Sequence, residues 1–237
     1  PLARSPSRTP IRHPPAPPLL PYPTLFRSEH EAFVIPDEIY AGWDAKDAGK
    51  AAEDAWNEKF AAYKAAFPAE ADEFERRMAG DLPADWAKTS GDYIASVNEA
   101  AASPATRQAS LASIEAYSPM LPEMFGGSAD LTGSNLTNWS GTVKVTPENA
   151  EGNYLSWGVR EFGMAHMMNG MVLHGGFKVY GATFFMFMEF MRNALRMSAL
   201  MKIGTIYVYT HDSIGLGEDG PTHQPVEQLA TMRVIPN

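Results

Sequence analysis

Residues 177–210 read FKVYGATFFMFMEFMRNALRMSALMKIGTIYVYT, and they carry the clearest signal of the chain's architecture. The runs 177–183 and 204–210 are short, apolar and rich in β-branched and aromatic residues, which is the pattern of buried strands. The residues between them, 184–201, are predicted to form a helix. A strand, a helix and a second strand in this order indicate a right-handed crossover between parallel strands.

The alternation continues outward from this stretch. On its N-terminal side we predict a strand in the glycine-ended run 124–127, a strand over 153–157 and a helix over 160–173. On its C-terminal side we predict a helix over 225–233. We therefore expect an α/β domain over residues 104–237, with a doubly wound, mostly parallel sheet and helices on both faces.

A ligand site is expected in the loops that follow these strands, because such sheets bind ligands outside the carboxyl ends of their strands. The loop HDSIGLGEDGPTHQ at 211–224 is the densest polar cluster of the chain. His211, Asp219 and His223 could hold a metal, orient a sugar or shuttle protons there. No helical histidine pairing or calcium-loop spacing supports the metal, and a merely solvated loop is the remaining alternative.

Three other motifs each have a structural alternative. The loop GGSADLTGSN at 126–135 offers amides and hydroxyls that suit a phosphate or hydroxyl group, although Ser, Asp and Asn also form simple turns. Glu161 falls in a first helical turn, where the helix dipole alone favours a carboxylate. Phe184, Phe187 and Phe190 form a stripe on the predicted helix, and the ordinary role of such a stripe is core packing.

The segment 29–103 is predicted to be a set of helices that precede the α/β domain. Aromatic residues recur there at three- and four-residue steps, and Pro68 and Pro83 separate one helix from the next. Ser103 and Pro104 are predicted to be the N-cap and first residue of a further helix that ends near Tyr117. The aromatic positions are Trp56, Phe60, Tyr63 and Phe67.

Residues 1–28 have a different composition, with nine of the 19 prolines, four arginines and no acidic residue. Proline fixes φ and removes backbone donors, so we expect polyproline II or disorder. An organelle transit peptide is an alternative, but such peptides form amphipathic helices, which this composition forbids. We favour a leader that is not native to the protein.

Composition excludes several classes of function. The net charge of −9 argues against nucleic acid or an anionic membrane as a main partner, so that any anion must be bound locally. The chain has no cysteine, which excludes disulfides, thiolate metal sites and a cysteine nucleophile. No stretch approaches the roughly 20 apolar residues of a membrane helix.

Four strings together resemble the transketolase family of the bacterial type. They are GGSADLTGSN, GVREFGM at 158–164, TFFMFMEF at 183–190 and HDSIGLGEDGPTHQ, in the order and at about the spacing of that family. The helical stretch from Phe33 to Met78 is similar to the segment that joins the family's first and second domains. The resemblance therefore covers nearly all of residues 29–237.

The resemblance implies transfer of a two-carbon ketol unit between sugar phosphates such as xylulose 5-phosphate and ribose 5-phosphate, with thiamine diphosphate as cofactor. It implies a cytoplasmic enzyme of the pentose phosphate pathway, a homodimer whose subunits share the active site. Glu161 would hydrogen-bond the aminopyrimidine ring and promote the imino tautomer that removes the thiazolium C2 proton. Phe184, Phe187 and Phe190 would stack on the pyrimidine, and their apolar surface would desolvate the Glu161 carboxyl group so that it can share a proton.

The resemblance also assigns roles to residues of the other two loops. Asp130 and Leu131 would lie at the cofactor cleft, and His223 would take part in catalysis by touching the donor near its reacting hydroxyls. Asp219 would read the configuration of a hydroxyl. The substrate phosphate would be bound by Arg107, Ser134 and His211, with the Arg107 guanidinium suited to a bidentate contact.

The family's motif for the diphosphate and its Mg²⁺ or Ca²⁺, a Gly-Asp-Gly followed by Asn, does not occur in this sequence. We therefore assign no metal ligand here and expect the metal in a first domain outside this chain. We expect a fragment, made of the interdomain linker and the front part of the pyrimidine-binding domain, that is inactive alone. A dihydroxyacetone synthase, a relative of deoxyxylulose-phosphate synthase, and a non-catalytic binding or scaffold module that retains the fold remain alternatives.

Overall fold

The computed structural model describes residues 30–237, so the prediction for the leader 1–28 lies outside the described residues. The chain divides into two units after Ala61. The first unit contains helix α1, Asp37–Trp43, and most of helix α2, Lys46–Ala66. The helices predicted in this part are present, but no residue of either is buried, so the aromatic stripe of α2 does not form a core.

Three more helices open the second unit: α3, Pro68–Ala79, α4, Trp86–Ala100, and α5, Thr106–Tyr117. Pro68 is the first residue of α3, where a missing N–H costs no hydrogen bond. Helix α5 begins two residues later than predicted. The backbone N–H of Ala105 donates to Gln108 Oε1 at 3.0 Å, so the first turn forms after Ala105 rather than after Ser103.

The sheet has four parallel strands in the order β2-β1-β3-β4. This arrangement confirms the predicted α/β class. Strand β1 lies at the point where the chain changes direction across the sheet, since β2 is added on one side of it and β3 and β4 on the other. The strands are β1, Met124–Ser128, β2, Tyr154–Ser156, β3, Lys178–Phe184, and β4, Ile206–Thr210.

Four helices follow the strands in turn. The helix predicted over 184–201 begins later, at Met188, because Phe184 still pairs with Thr210 in the sheet and Phe185–Phe187 form a single 3-10 turn. The prediction that three phenylalanines share one helix is therefore wrong. The helices are α6, Thr132–Asn135, α7, Glu161–His174, α8, Met188–Met201, and α9, Gln228–Arg233.

The two faces of the sheet are covered differently. On one face, Val179 packs with methionines of α7 and α8, among them Met168 and Met191, which are fully buried. On the other face, the hydroxyl of Tyr180 donates to the Thr137 carbonyl at 2.8 Å, and the hydroxyl of Tyr154 is hydrogen-bonded to the Thr137 hydroxyl at 2.8 Å. The connection between β1 and β2 therefore covers the second face. No helix of residues 30–237 is long and apolar enough to cross a membrane.

The glycines of β1 allow its neighbours to approach closely. A Cβ at Gly127 would overlap Trp157 Nε1 and would lie 2.6 Å from the backbone carbonyl oxygen of Leu155. Leu155 pairs with Gly127 in the sheet, so its carbonyl cannot move away without disturbing the ladder. The close approach of β2 to β1 therefore requires glycine at this position.

We expect Gly127→Ala to lower the free energy of unfolding by about 2 kcal/mol, because the added methyl group overpacks the sheet. Gly204→Ala is the matched control: no atom lies within 4 Å of a Cβ there, and the change should fall within about 0.5 kcal/mol of zero. Urea unfolding of the three proteins measures both values. Equal stability of the two variants would contradict the packing that we describe.

Candidate active site

Glu161 is positioned by a turn between β2 and α7. Trp157 is buried at the end of β2, and Gly158 follows with φ +68°, a left-handed conformation that glycine adopts readily. The Arg160 guanidinium donates to the Trp157 carbonyl at 3.0 Å and holds the turn. Glu161 is the first residue of α7, where the helix dipole favours a negative charge, and it is only 7% exposed.

Glu161 faces a pocket of about 430 Å³. Among residues 30–237, no hydrogen-bond donor or cation is paired with its carboxylate. The residue is largely buried, but its carboxylate oxygens are not among the fully buried unpaired polar atoms, so they are open to the pocket and can accept a hydrogen bond from an N–H group beside an aromatic wall. The lining residues are Val159, Arg160, Glu161, Phe162, Phe187 and Phe190.

A row of contacting aromatic side chains connects this pocket to the loop after β4. Phe184 does not line the pocket. It is buried and stacks on Phe187 with ring centroids 5.7 Å apart and on His211 at 3.8 Å. His223 meets Phe187 edge-on at 5.1 Å. The structure therefore brings four predicted site residues together: Phe184, Phe187, His211 and His223. Phe187 belongs both to this cluster and to the lining of the Glu161 pocket.

Arg107, Ser134 and His211 are also brought together. The Arg107 guanidinium donates to the Ser134 carbonyl at 3.1 Å, which ties α5 to α6. Partial burial of the imidazole lowers the pKa of His211 below its usual value, and the positive charge of Arg107 lowers it further. The negative charge of Asp219 acts in the opposite direction on the same pKa, so Asp219 lies within electrostatic range of His211.

Asp130 and Leu131 lie on the loop after β1 rather than on the wall of the Glu161 pocket. Asp130 is exposed and has φ +62°, an unusual conformation for a residue other than glycine. The backbone N–H of Leu131 donates to Ser128 Oγ at 3.1 Å. These two residues therefore belong to the edge of the sheet that carries Ser134 and His211.

Sequence reasoning missed the buried polar side chains beneath these loops. Ser128, Asn135 and Thr210 are at most 6% exposed, and hydrogen bonds connect them from β1 to β4. The available signal was a polar residue at the end of each of two otherwise apolar strands. Sequence reasoning also missed Val159, Arg160 and Phe162 in the wall of the Glu161 pocket.

Comparison with known proteins identifies the family. Residues 102–237, more than half of the chain, match the family model described as transketolase, pyrimidine binding domain. The chain belongs to the transketolase family. Residues 25–83, within and just before the segment predicted as a linker, match the model described as transketolase, thiamine diphosphate binding domain.

Transketolases of known sequence and structure agree with this assignment. Transketolase 1 of Vibrio cholerae is 61% identical over 209 residues, which are 88% of this chain and 31% of that protein. Transketolase 2 of Aliivibrio fischeri is 60% identical, with 88% of this chain and 32% of that protein covered. The chain thus spans about a third of the length of the curated relatives that it matches.

Solved structures of transketolases match over the same extent. The structure of a Pichia stipitis transketolase in complex with sedoheptulose 7-phosphate superimposes with a TM-score of 0.77 at 42% identity, covering 87% of this chain and 31% of that one. The Leishmania mexicana transketolase gives a TM-score of 0.75 at 39% identity, covering 88% and 30%. The predicted resemblance and the predicted fold are both confirmed.

We expect opposite changes in the pKa of His211 when its two charged neighbours are neutralised. Arg107→Ala removes a positive charge and should raise the pKa, whereas Asp219→Asn removes a negative charge and should lower it. The imidazole proton resonances of His211, followed by NMR against pH in this chain, report both shifts. If both variants shift the pKa in the same direction, the two side chains do not flank His211 as described.

Proposed function

We propose that this chain forms part of an enzyme that transfers a two-carbon ketol unit from a ketose phosphate to an aldose phosphate, a reaction of the pentose phosphate pathway. The observation that carries the proposal is the carboxylate of Glu161, which has no partner within residues 30–237 and opens into a pocket lined by Phe187 and Phe190. A flat heterocycle with an N–H group satisfies both the aromatic wall and the carboxylate.

Thiamine diphosphate fits these residues. When bound, it supplies a thiazolium ring that stabilises a carbanion during ketol transfer. Phe187 and Phe190 would hold its aminopyrimidine ring by stacking, and Phe184 would support Phe187 from behind. Glu161 would accept a hydrogen bond from the ring and share a proton with it. Asp130 and Leu131 would lie at the edge of the cofactor cleft.

The divalent cation that accompanies the diphosphate, Mg²⁺ or Ca²⁺, is proposed to be held outside this chain. In this family the ion and the diphosphate are bound by a Gly-Asp-Gly…Asn motif, and the sequence of this chain does not contain that motif. The cation would neutralise the diphosphate, which is the most strongly charged part of the cofactor.

The proposed substrate site is the cluster beside Phe184. Arg107, Ser134 and His211 would bind the substrate phosphate, which gives an acidic protein a local cation for an acidic ligand. Asp219 would read a hydroxyl configuration, and His223 would contact the donor next to Phe187. The sedoheptulose 7-phosphate complex of the Pichia stipitis relative supports a sugar phosphate as the substrate class.

The site is proposed to be completed by a second subunit of a cytoplasmic homodimer and by the remainder of a transketolase. We accordingly expect no ketol transfer by this chain alone. Activity is best tested in a chimera, in which the matched third of Vibrio cholerae transketolase 1 is replaced by the corresponding residues of this chain. Formation of sedoheptulose 7-phosphate from xylulose 5-phosphate and ribose 5-phosphate measures the activity, and an inactive but folded chimera contradicts the proposed function.

In this chimera, Glu161→Gln should bind thiamine diphosphate with little loss of affinity but should slow exchange of the cofactor's C2 proton at least a hundredfold. The amide keeps the shape of the side chain but cannot share a proton. NMR detection of deuterium exchange at C2 is the direct measurement. Glu148→Gln, at an exposed acid of the β1–β2 connection, is the matched control. Unchanged exchange in Glu161→Gln would leave only the helix dipole to explain this residue.

Arg107→Ala in the same chimera should lower kcat/KM for phosphorylated sugars about thirtyfold, which corresponds to about 2 kcal/mol for a charge-assisted contact. The reaction of hydroxypyruvate with glycolaldehyde involves no phosphate and should be spared. Steady-state kinetics with both substrate pairs separate the two effects. Equal damage to both reactions would mean that Arg107 supports the fold or the cofactor, and no damage to either would make it a surface residue.

A further inference from the structure

A buried chain of hydrogen bonds ends at His211. Ser128 Oγ lies 2.9 Å from Asn135 Oδ1, Asn135 Nδ2 lies 2.6 Å from Thr210 Oγ1, and Thr210 Oγ1 lies 2.9 Å from His211 Nδ1. Ser128 and Asn135 are fully buried, and Thr210 is 6% exposed. Water therefore has little access to the first three members, and their protons are distributed among the side chains themselves.

The direction of donation along these hydrogen bonds is set at Ser128. Its hydroxyl accepts a hydrogen bond from the backbone N–H of Leu131 and has one proton to donate. The Ala182 carbonyl is 3.3 Å away and already accepts from the backbone N–H of Ala129, whereas Asn135 Oδ1 is at 2.9 Å. The Ser128 proton therefore goes to Asn135 Oδ1, which turns the amide nitrogen towards Thr210.

The same direction of hydrogen-bond donation continues from Asn135 through Thr210 to His211. Asn135 Nδ2 has only hydrogens to offer, so Thr210 Oγ1 is the acceptor of that bond. The hydroxyl proton of Thr210 is then free to be donated to His211 Nδ1. An imidazole nitrogen that accepts this hydrogen bond carries no proton, so this direction of donation places the proton of neutral His211 on Nε2.

We propose that Asn135 and Thr210 are positioning residues, which hold His211 in the neutral tautomer protonated on Nε2 and present this N–H as a donor to the substrate phosphate. The identity of the ligand rests on the proposed function. The tautomer and the roles of Asn135 and Thr210 in setting it do not.

Other features of the structure fix the same ring. His211 stacks on Phe184 at 3.8 Å and has φ +55°, a conformation that an ordinary loop residue adopts only when its surroundings enforce it. Burial and the charge of Arg107 lower the pKa of His211 and so favour the neutral imidazole; Asp219 and Asp212 act in the opposite direction, and His223 acts in the same direction as Arg107. The site thus supplies its positive charge from Arg107 and a directed neutral donor from His211.

The tautomer is tested on the chain itself, labelled with ¹⁵N in histidine. His211→Asn identifies the resonances of His211. We expect an unprotonated Nδ1 and a protonated Nε2 at pH 7.5, an increased population of the other tautomer in Thr210→Val, and the wild-type pattern in Thr210→Ser, which keeps the hydroxyl. Thr183→Val is the matched control, because the Thr183 hydroxyl is equally buried, lies on the neighbouring strand and has no partner within the described residues.

The role in binding is tested in the chimera by a double-mutant cycle. Thr210→Val should lower kcat/KM for ribose 5-phosphate threefold to tenfold, as expected for one lost hydrogen bond, and by more than it lowers the value for glycolaldehyde. In a His211→Asn background the additional loss for ribose 5-phosphate should disappear, because Thr210 acts through His211. Thr183→Val should keep the wild-type ratio of the two values.

The NMR and kinetic results test the positioning role of Thr210 separately from the proposed ketol transfer. A proton on Nδ1 of wild-type His211, or a tautomer that Thr210→Val leaves unchanged, overturns the positioning role. Full additivity of Thr210→Val and His211→Asn in an active chimera overturns it as well. A folded chimera without ketol transfer contradicts the proposed function, while the NMR result still decides whether Thr210 sets the tautomer of His211.

Discussion

The side-chain amide of Asn135 is the interaction on which the rest of the site depends. It is fully buried and joins the end of β1, through Ser128, to the end of β4, through Thr210. A buried amide that loses a partner costs about 1–3 kcal/mol, so the two strand ends and the α6 turn are held in one arrangement. The Ser134 carbonyl that receives Arg107 belongs to the same turn. Two loops far apart in sequence therefore form one surface.

The register of β3 against β4 determines how this surface meets the pocket of Glu161. Phe184 pairs with Thr210 in the sheet, so the Phe184 ring at the end of β3 and the His211 imidazole that follows β4 lie side by side. Phe187 comes one 3-10 turn later and reaches the pocket from the same strand end. A shift of one residue in this register would turn Phe184 to the opposite face of the sheet and separate the two sites.

The alternation of strands and helices was predictable because each element is a local pattern, and the predicted strands agree with those observed to within about two residues. The positions of Glu161, His211 and His223 in the segments that follow strands were predicted from the same pattern. The arrangement of Phe184, Phe187 and Phe190 did not, since helical spacing placed them on one helix. They belong to a strand, a 3-10 turn and a helix, and they converge because of the sheet register.

The bonds from Ser128 through Asn135 to Thr210 were also beyond prediction. They connect residues 75 positions apart in sequence, and they exist because β1 and β4 lie on either side of β3, where Ser128 is opposite Ala182 and Thr210 is opposite Phe184. Helix boundaries depend on single side chains in a similar way. Gln108, by satisfying the backbone N–H of Ala105, moves the start of α5. Such effects become visible only when the partners are placed in space.

The left-handed residues around the site show where this protein gives up stability for function. Asp130, Leu136 and His211 all have φ between +55° and +62°, although none of them is glycine. Each such residue costs on the order of 1 kcal/mol or more, and glycine would relieve the cost. At Leu136 that exchange concerns packing alone, whereas at Asp130 and His211 it would delete the side chains to which the proposed function gives a role in the site. Selection for thermostability would therefore replace Leu136 with glycine before it replaced Asp130 or His211.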